Sequence, residues 1–418
     1  MDWRFTLQMV SLTLSILVTA WYAYQPFYLF LPFWGKPHPH KSQKLHRYAV
    51  LIAARNEEAV LPQLLWSIRQ QDYPQELITV YVVADNCTDA TARVAAEQGA
   101  KVYERFDNQR VGKGYAIHDL LEQIRSSAEY PLYDAFLIFD ADNLLEADYI
   151  RQMNQTCSDG YDAFCGYRNS KNYGSNWVSA GHSVWFLHEC THLCRSRQLR
   201  QLPCAVTGTG FGFTRHLLDT MGGWNFFTLT EDIQFSVWCA THGFRLGYCH
   251  DAVLYDEQPV TLRQSFRQRI RWVQGTIQVS WHHGGDMLRG VFRGGRTSLA
   301  SLQSLSLSSW GFLIAFLVSC LGFASVWLTK GLPAALISMA LGCMGTLFAL
   351  FATGALTLLS EHSRIRATKK QKALSLLAFP LYMLCYVPIT AAALVTKPSW
   401  KPIAHSAATV EELLSKSK

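Results

Sequence analysis

The fold is decided by the stretch Tyr133-Asp134-Ala135-Phe136-Leu137-Ile138-Phe139-Asp140-Ala141-Asp142-Asn143. An apolar run that stops at two carboxylates, one residue apart, predicts a buried β-strand whose end delivers Asp140 and Asp142 into a crevice. Ligands of α/β sheets bind at such strand ends. Carboxylate oxygens suit Mg²⁺ or Mn²⁺, which take further ligands from water and substrate phosphates. A plain polar turn is the alternative that so short a motif leaves open.

This strand stands in a region where strands and helices alternate. Strands are predicted over 48–54, 78–84, 101–104 and 163–168, and helices over 57–70, 90–99, 115–124, 147–157 and 177–201. Such alternation predicts a mostly parallel sheet covered by helices. The loops at the strand ends carry Asp85, Lys113 and the Asp140/Asp142 pair, so we expect these side chains to meet at one edge.

The 418-residue chain has a polar middle and hydrophobic ends. Its composition is 49% hydrophobic and 17% charged, and most of the charge lies between about residues 36 and 296. Apolar stretches long enough to cross a bilayer are predicted over 5–33, 305–328, 332–359 and 373–395. The pattern is typical of a soluble domain tethered to a membrane at both ends. The formal charge of +7 requires no nucleic acid, because the basic residues gather beside the predicted spans.

The distribution of lysine and arginine predicts the topology. Basic residues follow the first span at Lys36, Lys41, Lys44 and Arg47, and others lie between the last two spans at Arg364, Arg366, Lys369, Lys370 and Lys372. Both groups place the polar domain in the cytosol, as do eleven scattered cysteines, which suit a reducing compartment. Pro380 and Pro388 would allow the last segment to form a re-entrant hairpin. Its length suits one crossing, so we expect three complete C-terminal spans.

Three further segments are candidates for a site. The segment Gly208-Thr209-Gly210 would let backbone approach a ligand closely. The segment Thr230-Glu231-Asp232 stands at the start of a predicted helix over 233–242, where local evidence alone favours helix capping. An arginine-rich amphipathic helix begins near Leu262, and its default interpretation is a helix on the membrane surface.

Taken in chain order, the motifs resemble those of membrane-bound family 2 glycosyltransferases. They are Asp85, Lys113 between glycines, Asp140-Ala-Asp142, Thr230-Glu231-Asp232 and Gln268-Arg-Ile-Arg271-Trp272. The resemblance runs from residue 48 to about 281 and is greatest with the processive synthases of cellulose, chitin and poly-N-acetylglucosamine. It implies an α/β fold: a GT-A-type nucleotide-sugar-binding domain with a mostly parallel central sheet, and transmembrane α-helices on both sides.

The resemblance also implies an activity and a set of roles. It implies inverting β-transfer of a sugar, N-acetylglucosamine or glucose, from a UDP-sugar, with Asp232 as general base and Glu231 beside it. The residues implied to bind the nucleotide sugar are Asp85, Lys113, Asp140, Gln268 and Arg271. Those implied for the acceptor are Trp272, Gly208, Thr209 and Gly210. The implied ligands of Mg²⁺ or Mn²⁺ are Asp142 and Asp140.

The main expectation is elongation of a polysaccharide or oligosaccharide at the cell membrane. Transfer of one sugar to a membrane lipid is the first alternative, and an inert scaffold subunit of an envelope-synthesis complex is the second. The expected partners are a UDP-sugar, a polysaccharide or lipid-linked acceptor, the bilayer and accessory synthesis or export subunits. The expected units are an anchor (1–35), a cytosolic GT-A domain (36–260), interface helices (261–300), a C-terminal transmembrane region (301–396) and a tail (397–418).

Two features depart from the resemblance. Asn86-Cys87-Thr88 follow Asp85, where Asp-Gly-Ser is common in the family. Three C-terminal spans are also fewer than a secretion channel for a long polymer would be expected to have.

Overall fold

The computed structural model describes residues 3–36 and 44–397. Lys41 and residues 398–418 of the predicted tail lie outside the described residues. Within them, eight strands form one mixed sheet in the order β3-β2-β1-β4-β7-β6-β8-β5. The strands are β1 (Tyr48–Ala54), β2 (Ile78–Asp85), β3 (Lys101–Arg105), β4 (Ala135–Asp140), β5 (Leu144–Leu145), β6 (Ala163–Ser170), β7 (Phe211–Thr214) and β8 (Leu246–Asp256).

Strands β1 to β4 form the predicted parallel part of the sheet. β1 pairs in parallel with both β2 and β4, and β2 with β3. In this register Ala54 lies opposite Ala84, and Ala53 lies opposite Asp140. The carboxyl ends of β2 and β4 therefore meet at one edge, as predicted. The apolar runs suit strands whose two faces are both covered.

The second half of the sheet is where the prediction falls short. β7 pairs antiparallel with β4 and β6, β8 pairs in parallel with β6, and β5 pairs antiparallel with β8. The segment that was predicted only as glycine-dense leads directly into β7, and β8 was not predicted. In the sheet, β7 lies next to β4, and β8 lies beyond β6. The loop at Gly208 leads into β7.

Helices cover both faces of the sheet. They are α3 (Leu61–Arg69), α4 (Thr91–Glu97), α5 (Lys113–Arg125), α6 (Tyr149–Ser158), α7 (Trp177–His188), α8 (Ser196–Leu199), α9 (Arg215–Met221) and α10 (Glu231–His242). Because side chains alternate along a strand, Val50 and Ile52 join one hydrophobic cluster, with α3 and α6, and Ala49 and Leu51 join the other, with α5. The helix predicted over 177–201 is interrupted by a π-helix at Glu189–Arg195, which separates α7 from α8.

Helices at both ends of the chain surround this domain. They are α1 (Trp3–Tyr22), α2 (Tyr24–Phe30), α11 (Leu262–Val291), α12 (Gly295–Leu307), α13 (Ser309–Lys330), α14 (Leu332–Ser360), α15 (Lys369–Leu384) and α16 (Tyr386–Val395). Four segments of the described chain are long and apolar enough to cross a membrane: Trp3–Phe33, Ser309–Lys330, Leu332–Ser360 and Lys369–Val395. These confirm the four predicted apolar segments, one near the N-terminus and three on the C-terminal side.

Candidate active site

A cavity of about 2120 Å³ opens at the carboxyl edge of β1, β2 and β4. The lining includes most of the sequence-predicted site residues: Asp85, Lys113, Asp140, Asp142, Gly208, Glu231, Asp232, Gln268, Arg271 and Trp272. The cavity is larger than the roughly 300–1,000 Å³ that holds one small ligand, so it has room for two substrates. The five separate motifs therefore meet at a single site.

The end of β4 is fixed by a hydrogen-bonded corner. The backbone N–H of Asp140 donates to Thr209 Oγ1 over 2.8 Å, and the Thr209 hydroxyl in turn donates to Asn143 Oδ1. Asn143 Nδ2 donates to Asp256 Oδ1 over 3.2 Å. These bonds orient Asp140 and Asp142 toward the cavity, where both side chains form part of the wall.

Only part of the glycine-dense segment contacts the cavity. Gly208 lines it with φ at +80°, a conformation that favours glycine. Thr209 is buried behind the wall, and a Cβ on Gly210 would stand 1.9 Å from a methyl carbon of Leu254. Thr209 and Gly210 pack against the strands rather than line the cavity, so the acceptor contact expected for them stays a prediction.

Lys113 connects three parts of the site. Its Nζ lies 2.5 Å from Asp140 Oδ1 and 2.6 Å from the carbonyl oxygen of Gly208. Burial lowers the pKa of Lys113, but the carboxylates of Asp140 and Glu231 outweigh burial and hold that pKa above its usual value. Gly114 permits this position, since a Cβ there would stand 2.2 Å from the Phe226 carbonyl oxygen. The site therefore contains a permanently charged ammonium group among its carboxylates.

Glu231 and Asp232 lie side by side at the start of α10. Asp232 Oδ2 accepts a hydrogen bond from the N–H of Gly208. Burial and then the charge of Asp232 raise the pKa of Glu231 to about 7, and burial raises the pKa of Asp232. Thr230 makes no side-chain capping bond, and its buried hydroxyl has no hydrogen-bond partner among the described residues. Thr230 therefore does not cap α10 through its side chain, and the two carboxylates of the first turn also line the cavity.

Asp85 stands at the end of β2, held by Arg105. Arg105 Nη1 lies 2.6 Å from Asp85 Oδ1, and Arg105 Nε lies 2.7 Å from Asp119 Oδ2. Burial raises the pKa of Asp85, although the hydrogen bond and charge of Arg105 oppose this. One carboxylate oxygen is thus committed to Arg105, so a ligand contact by Asp85 would use the other.

The first turns of α11 bring Gln268, Arg271 and Trp272 to the opposite wall. The Trp272 ring packs edge-on against Phe186, with ring centres 5.8 Å apart. The side-chain oxygen of Gln268 is buried without a hydrogen-bond partner within residues 3–36 and 44–397. The positive charge of Arg271 acts on Glu231, where it lowers the pKa. This wall offers the cations of Arg267 and Arg271, the unsatisfied acceptor of Gln268 and the aromatic face of Trp272.

The charged cavity residues that sequence reasoning did not single out include Arg168, Glu189 and Asp256. Arg168 donates from Nε to Asp256 Oδ2 over 2.9 Å, and from Nη1 to the Thr207 carbonyl over 3.1 Å. Burial raises the pKa of Glu189, which begins the π-helix, to about 8. Arg168 and Asp256 lie 88 positions apart, at the ends of β6 and β8, and their pairing left no local signal.

The donor set fits a divalent cation. Asp140 and Asp142 present hard oxygen ligands to a cavity with room for phosphate oxygens, which is how proteins commonly hold Mg²⁺. The described residues contain no group of three or more histidine, cysteine or acidic side chains placed to hold a metal by themselves. A cation here would need ligands from substrate, and Asp142 is the better candidate because Asp140 is paired with Lys113.

The arrangement of these groups is chemically compatible with displacement at a carbon that carries an anionic leaving group. Asp232 and Glu231 have raised pKa values, which suits a carboxylate that accepts a proton near neutral pH. Lys113 and Arg271 supply positive charge for the departing anion. The carboxylates and cations line one cavity, as such a reaction requires.

Comparisons with known proteins agree with this geometry. Residues 46–275 match the family model described as "Glycosyltransferase like family 2". The chain is 26% identical over 235 residues to a beta-monoglucosyldiacylglycerol synthase of Synechocystis sp., covering 55% of this chain and 47% of that protein. It is 23% identical over 239 residues to a poly-beta-1,6-N-acetyl-D-glucosamine synthase of Staphylococcus epidermidis, covering 57% of this chain and 56% of that protein. The chain thus spans about half the length of these curated relatives.

A solved structure shares the fold. The mannosyltransferase PcManGT of Pyrobaculum calidifontis, in complex with GDP-Man and Mn²⁺, superposes with a TM-score of 0.54 at 17% identity. The match covers 93% of this chain and 99% of that chain.

Proposed function

Because the chain belongs to glycosyltransferase family 2, we propose that it transfers one sugar, with inversion, from a UDP-sugar to a hydroxyl group of a membrane lipid. The family and the GT-A fold establish a glycosyltransferase. The donor, the acceptor and the residue roles are the proposal. They rest on the contacts of the cavity residues and on how far the cavity extends along the apolar helices.

Asp232 is the proposed general base. An inverting displacement needs a carboxylate that takes the acceptor proton while the hydroxyl attacks from the face opposite the leaving UDP. Asp232 is held by the N–H of Gly208, and the charge of Lys113 acts on it as well. Glu231, whose pKa is about 7, is its neighbour and shares the proton.

Lys113 and Arg271 are the proposed partners of the diphosphate. Both carry positive charge into the cavity, where the leaving group gains negative charge. Asp140 and Asp142 would hold Mg²⁺ or Mn²⁺, which supplies further charge neutralisation at the phosphates when bound. Asp85, at the end of β2, would contact the uracil through the oxygen that Arg105 leaves available.

Trp272 and Gln268 are assigned to the substrates on the α11 side. The Trp272 indole offers a flat apolar face for a sugar ring, and the unsatisfied oxygen of Gln268 accepts a hydrogen bond from a hydroxyl group. Both assignments follow from the position of the residues on the cavity wall opposite Asp140.

One observation supports a lipid acceptor. The cavity continues from Asp232 into the membrane region, where most of its wall is apolar and includes Phe312, Phe316, Leu350, Val387 and Leu394. The wall extends to Phe316 on the 22-residue α13 and begins at Thr346 on the 29-residue α14, so it occupies only the half of the bilayer nearer the catalytic domain. A lipid from the near leaflet fits such a pocket, whereas an exported polymer needs a polar path through the whole bilayer.

Product analysis tests the proposal. Membranes that contain the full chain are incubated with a panel of radiolabelled UDP-sugars, with Asp232→Asn membranes as the control. We expect UDP release with one donor and a single labelled product that partitions into organic solvent. A ladder of lengths in the aqueous phase would instead support the polysaccharide elongation expected from the sequence. Failure of every donor to release UDP would contradict both.

A further inference from the structure

We propose that α15 and α16 form a re-entrant hairpin that enters the bilayer from the catalytic side and returns to that side. The exposed apolar faces of both helices then contact the acyl chains of a single leaflet. By length and composition alone the segment could cross, because Lys369–Val395 counts 27 residues with a mean hydropathy of 1.8. The contacts of the two helices instead favour a segment whose two ends lie on the same side of the membrane.

The hairpin of α13 and α14 defines the far side of the membrane. α13 starts beside α11, which packs on the start of α10 of the catalytic domain, and there the N–H of Ser309 lies 3.0 Å from Ser280 Oγ. α14 returns to that domain, where Ser360 Oγ lies 3.2 Å from His192 Nε2. Both helices exceed the roughly 20 residues that a crossing needs, so the turn at Gly331 lies about one bilayer thickness from the domain.

α15 stays against the catalytic side along its whole length. In its first turn, Gln371 Nε2 donates to the carbonyl oxygen of Gly174 over 2.9 Å. One to two turns later, the Ser375 hydroxyl lies 2.5 Å from that of Tyr173. In its last turn, the Tyr382 carbonyl accepts from Arg269 Nη1 over 2.9 Å. A helix that crossed the bilayer would leave the domain after its first turns.

α16 runs along α11 and ends beside the site. The Arg269 guanidinium lies 5.0 Å from the Tyr386 ring centre, at the start of α16. At its end, Gln274 Nε2 donates to the carbonyl oxygens of Ala393, over 3.2 Å, and Thr396, over 2.8 Å. Lys397 then lines the same cavity as Asp232. The end of α16 is therefore on the side of the membrane where the chemistry occurs.

The position of Gln274 relates the end of α16 to the carboxylates of α10. Its neighbour Gly275 packs against Thr230, so closely that a Cβ on Gly275 would stand 2.4 Å from Thr230 Oγ1. Thr230 directly precedes the two carboxylates of α10. Thr396, which is hydrogen-bonded to Gln274, therefore lies within a few side-chain lengths of the catalytic carboxylates. The turn at Gly331 lies about a bilayer thickness away.

The sequence explains the bend. The 16 residues of α15 and the 10 of α16 measure about 24 Å and 15 Å, and neither alone spans a core of about 30 Å. Cys385 separates the two helices by one residue, and Pro388 has no N–H to donate to the carbonyl of Leu384, four residues earlier. The faces turned away from the cavity are apolar and exposed at Leu374, Leu377, Leu381 and Val395. Their exposure to lipid continues that of α13 and α14.

Sided cysteine labelling tests the hairpin with three matched substitutions in the full chain: Lys330→Cys, Lys370→Cys and Lys397→Cys. Inside-out and right-side-out vesicles are treated with a membrane-impermeant maleimide, and the parent chain, with its own eleven cysteines, gives the background. We expect Lys397→Cys to react from the same side as Lys370→Cys, and Lys330→Cys to react from the other. Reaction of Lys397→Cys together with Lys330→Cys would overturn the proposal.

A second measurement covers the case in which Lys397→Cys is shielded from the reagent. An epitope joined after Lys418 is digested with protease from either side of the sealed vesicles. Digestion from the side on which Lys370→Cys reacts supports the hairpin. Digestion from the side on which Lys330→Cys reacts refutes it, whatever the acceptor of the enzyme is.

Discussion

The ammonium group of Lys113 lies 2.5 Å from the carboxylate of Asp140. A cation suited to phosphate is thus already paired with a carboxylate suited to a metal, and Asp142 is the second acidic group on this wall. In the proposed reaction, a bound nucleotide diphosphate would place its phosphate oxygens between these charges. A divalent cation would then offset the added negative charge.

We predict that Asp142→Asn lowers transfer by about a hundredfold or more, since a lost metal ligand forfeits several kcal/mol of charge stabilisation. The change in volume is small, so the thermal unfolding temperature should stay the same. Transfer rates with Mg²⁺, Mn²⁺ and excess chelator measure the effect, and Asp72→Asn, at a side chain that is 65% exposed, is the control. Full turnover in chelator would contradict the metal assignment.

We predict that Asp232→Asn lowers transfer by about 10²- to 10⁴-fold, the usual contribution of a general base. Asparagine keeps an oxygen that accepts from the N–H of Gly208, so UDP affinity should stay unchanged. Rates of sugar transfer and calorimetric titration with UDP separate the two effects. A parallel loss of UDP affinity and turnover would show that Asp232 acts by holding the loop at Gly208.

The pH profile tests the carboxylate pair. Because the pKa of Glu231 is about 7 and that of Asp232 is raised, the pair takes up a proton as the pH falls below neutrality. Transfer needs the base deprotonated, so kcat/KM should fall on the acid side with an apparent pKa near 7, well above that of an exposed carboxylate, about 4. Glu231→Gln removes a neighbouring negative charge and should move this limb to lower pH. If the acid side of the pH profile does not move in this variant, the charge of Glu231 does not act on the proposed base, Asp232.

The contact between α11 and α10 can be tested with two glycines of one helix. A Cβ on Gly275 would stand 2.4 Å from Thr230 Oγ1, whereas one on Gly285 would meet nothing within 4 Å. Gly275→Ala should cost about 1–3 kcal/mol of stability and lower kcat, because it displaces Thr230 and the carboxylates that follow. Gly285→Ala should leave kcat unchanged and stabilise the helix by up to about 1 kcal/mol. Equal effects of the two changes, in unfolding and turnover assays, would contradict the coupling.

The parallel half of the sheet was predictable from the sequence because each strand is a compact apolar run. Tyr48–Ala54 was predicted with its observed bounds, and β2 and β3 each extend by one residue, to Asp85 and Arg105. Because the carboxyl ends of parallel strands lie at the same edge of a sheet, Asp85 and Asp140 could be predicted to meet there. The four apolar segments were found for a similar reason, since length and hydropathy are local properties.

The strands and side-chain contacts that the sequence did not predict depend on pairing between residues far apart in the chain. β8 carries His250 and Asp251 in its middle, which interrupt the apolar pattern of a strand, and β7 has only four residues. The ion pair between Arg168 and Asp256 joins the ends of β6 and β8, so no local sequence motif predicts it. The π-helix that holds Glu189 differs from an α-helix by about one residue per turn, which a seven-residue pattern does not reveal.

The anomeric configuration of the product tests the central claim most directly. A single-displacement reaction assisted by Asp232 converts an α-linked UDP-sugar into a β-linked product. Nuclear magnetic resonance of the lipid-extracted product, purified from membranes that contain the full chain, reports the configuration at C1. The account predicts a β-linkage, absent from the Asp232→Asn control. An α-linked product would contradict it, because retention requires a mechanism other than one general base.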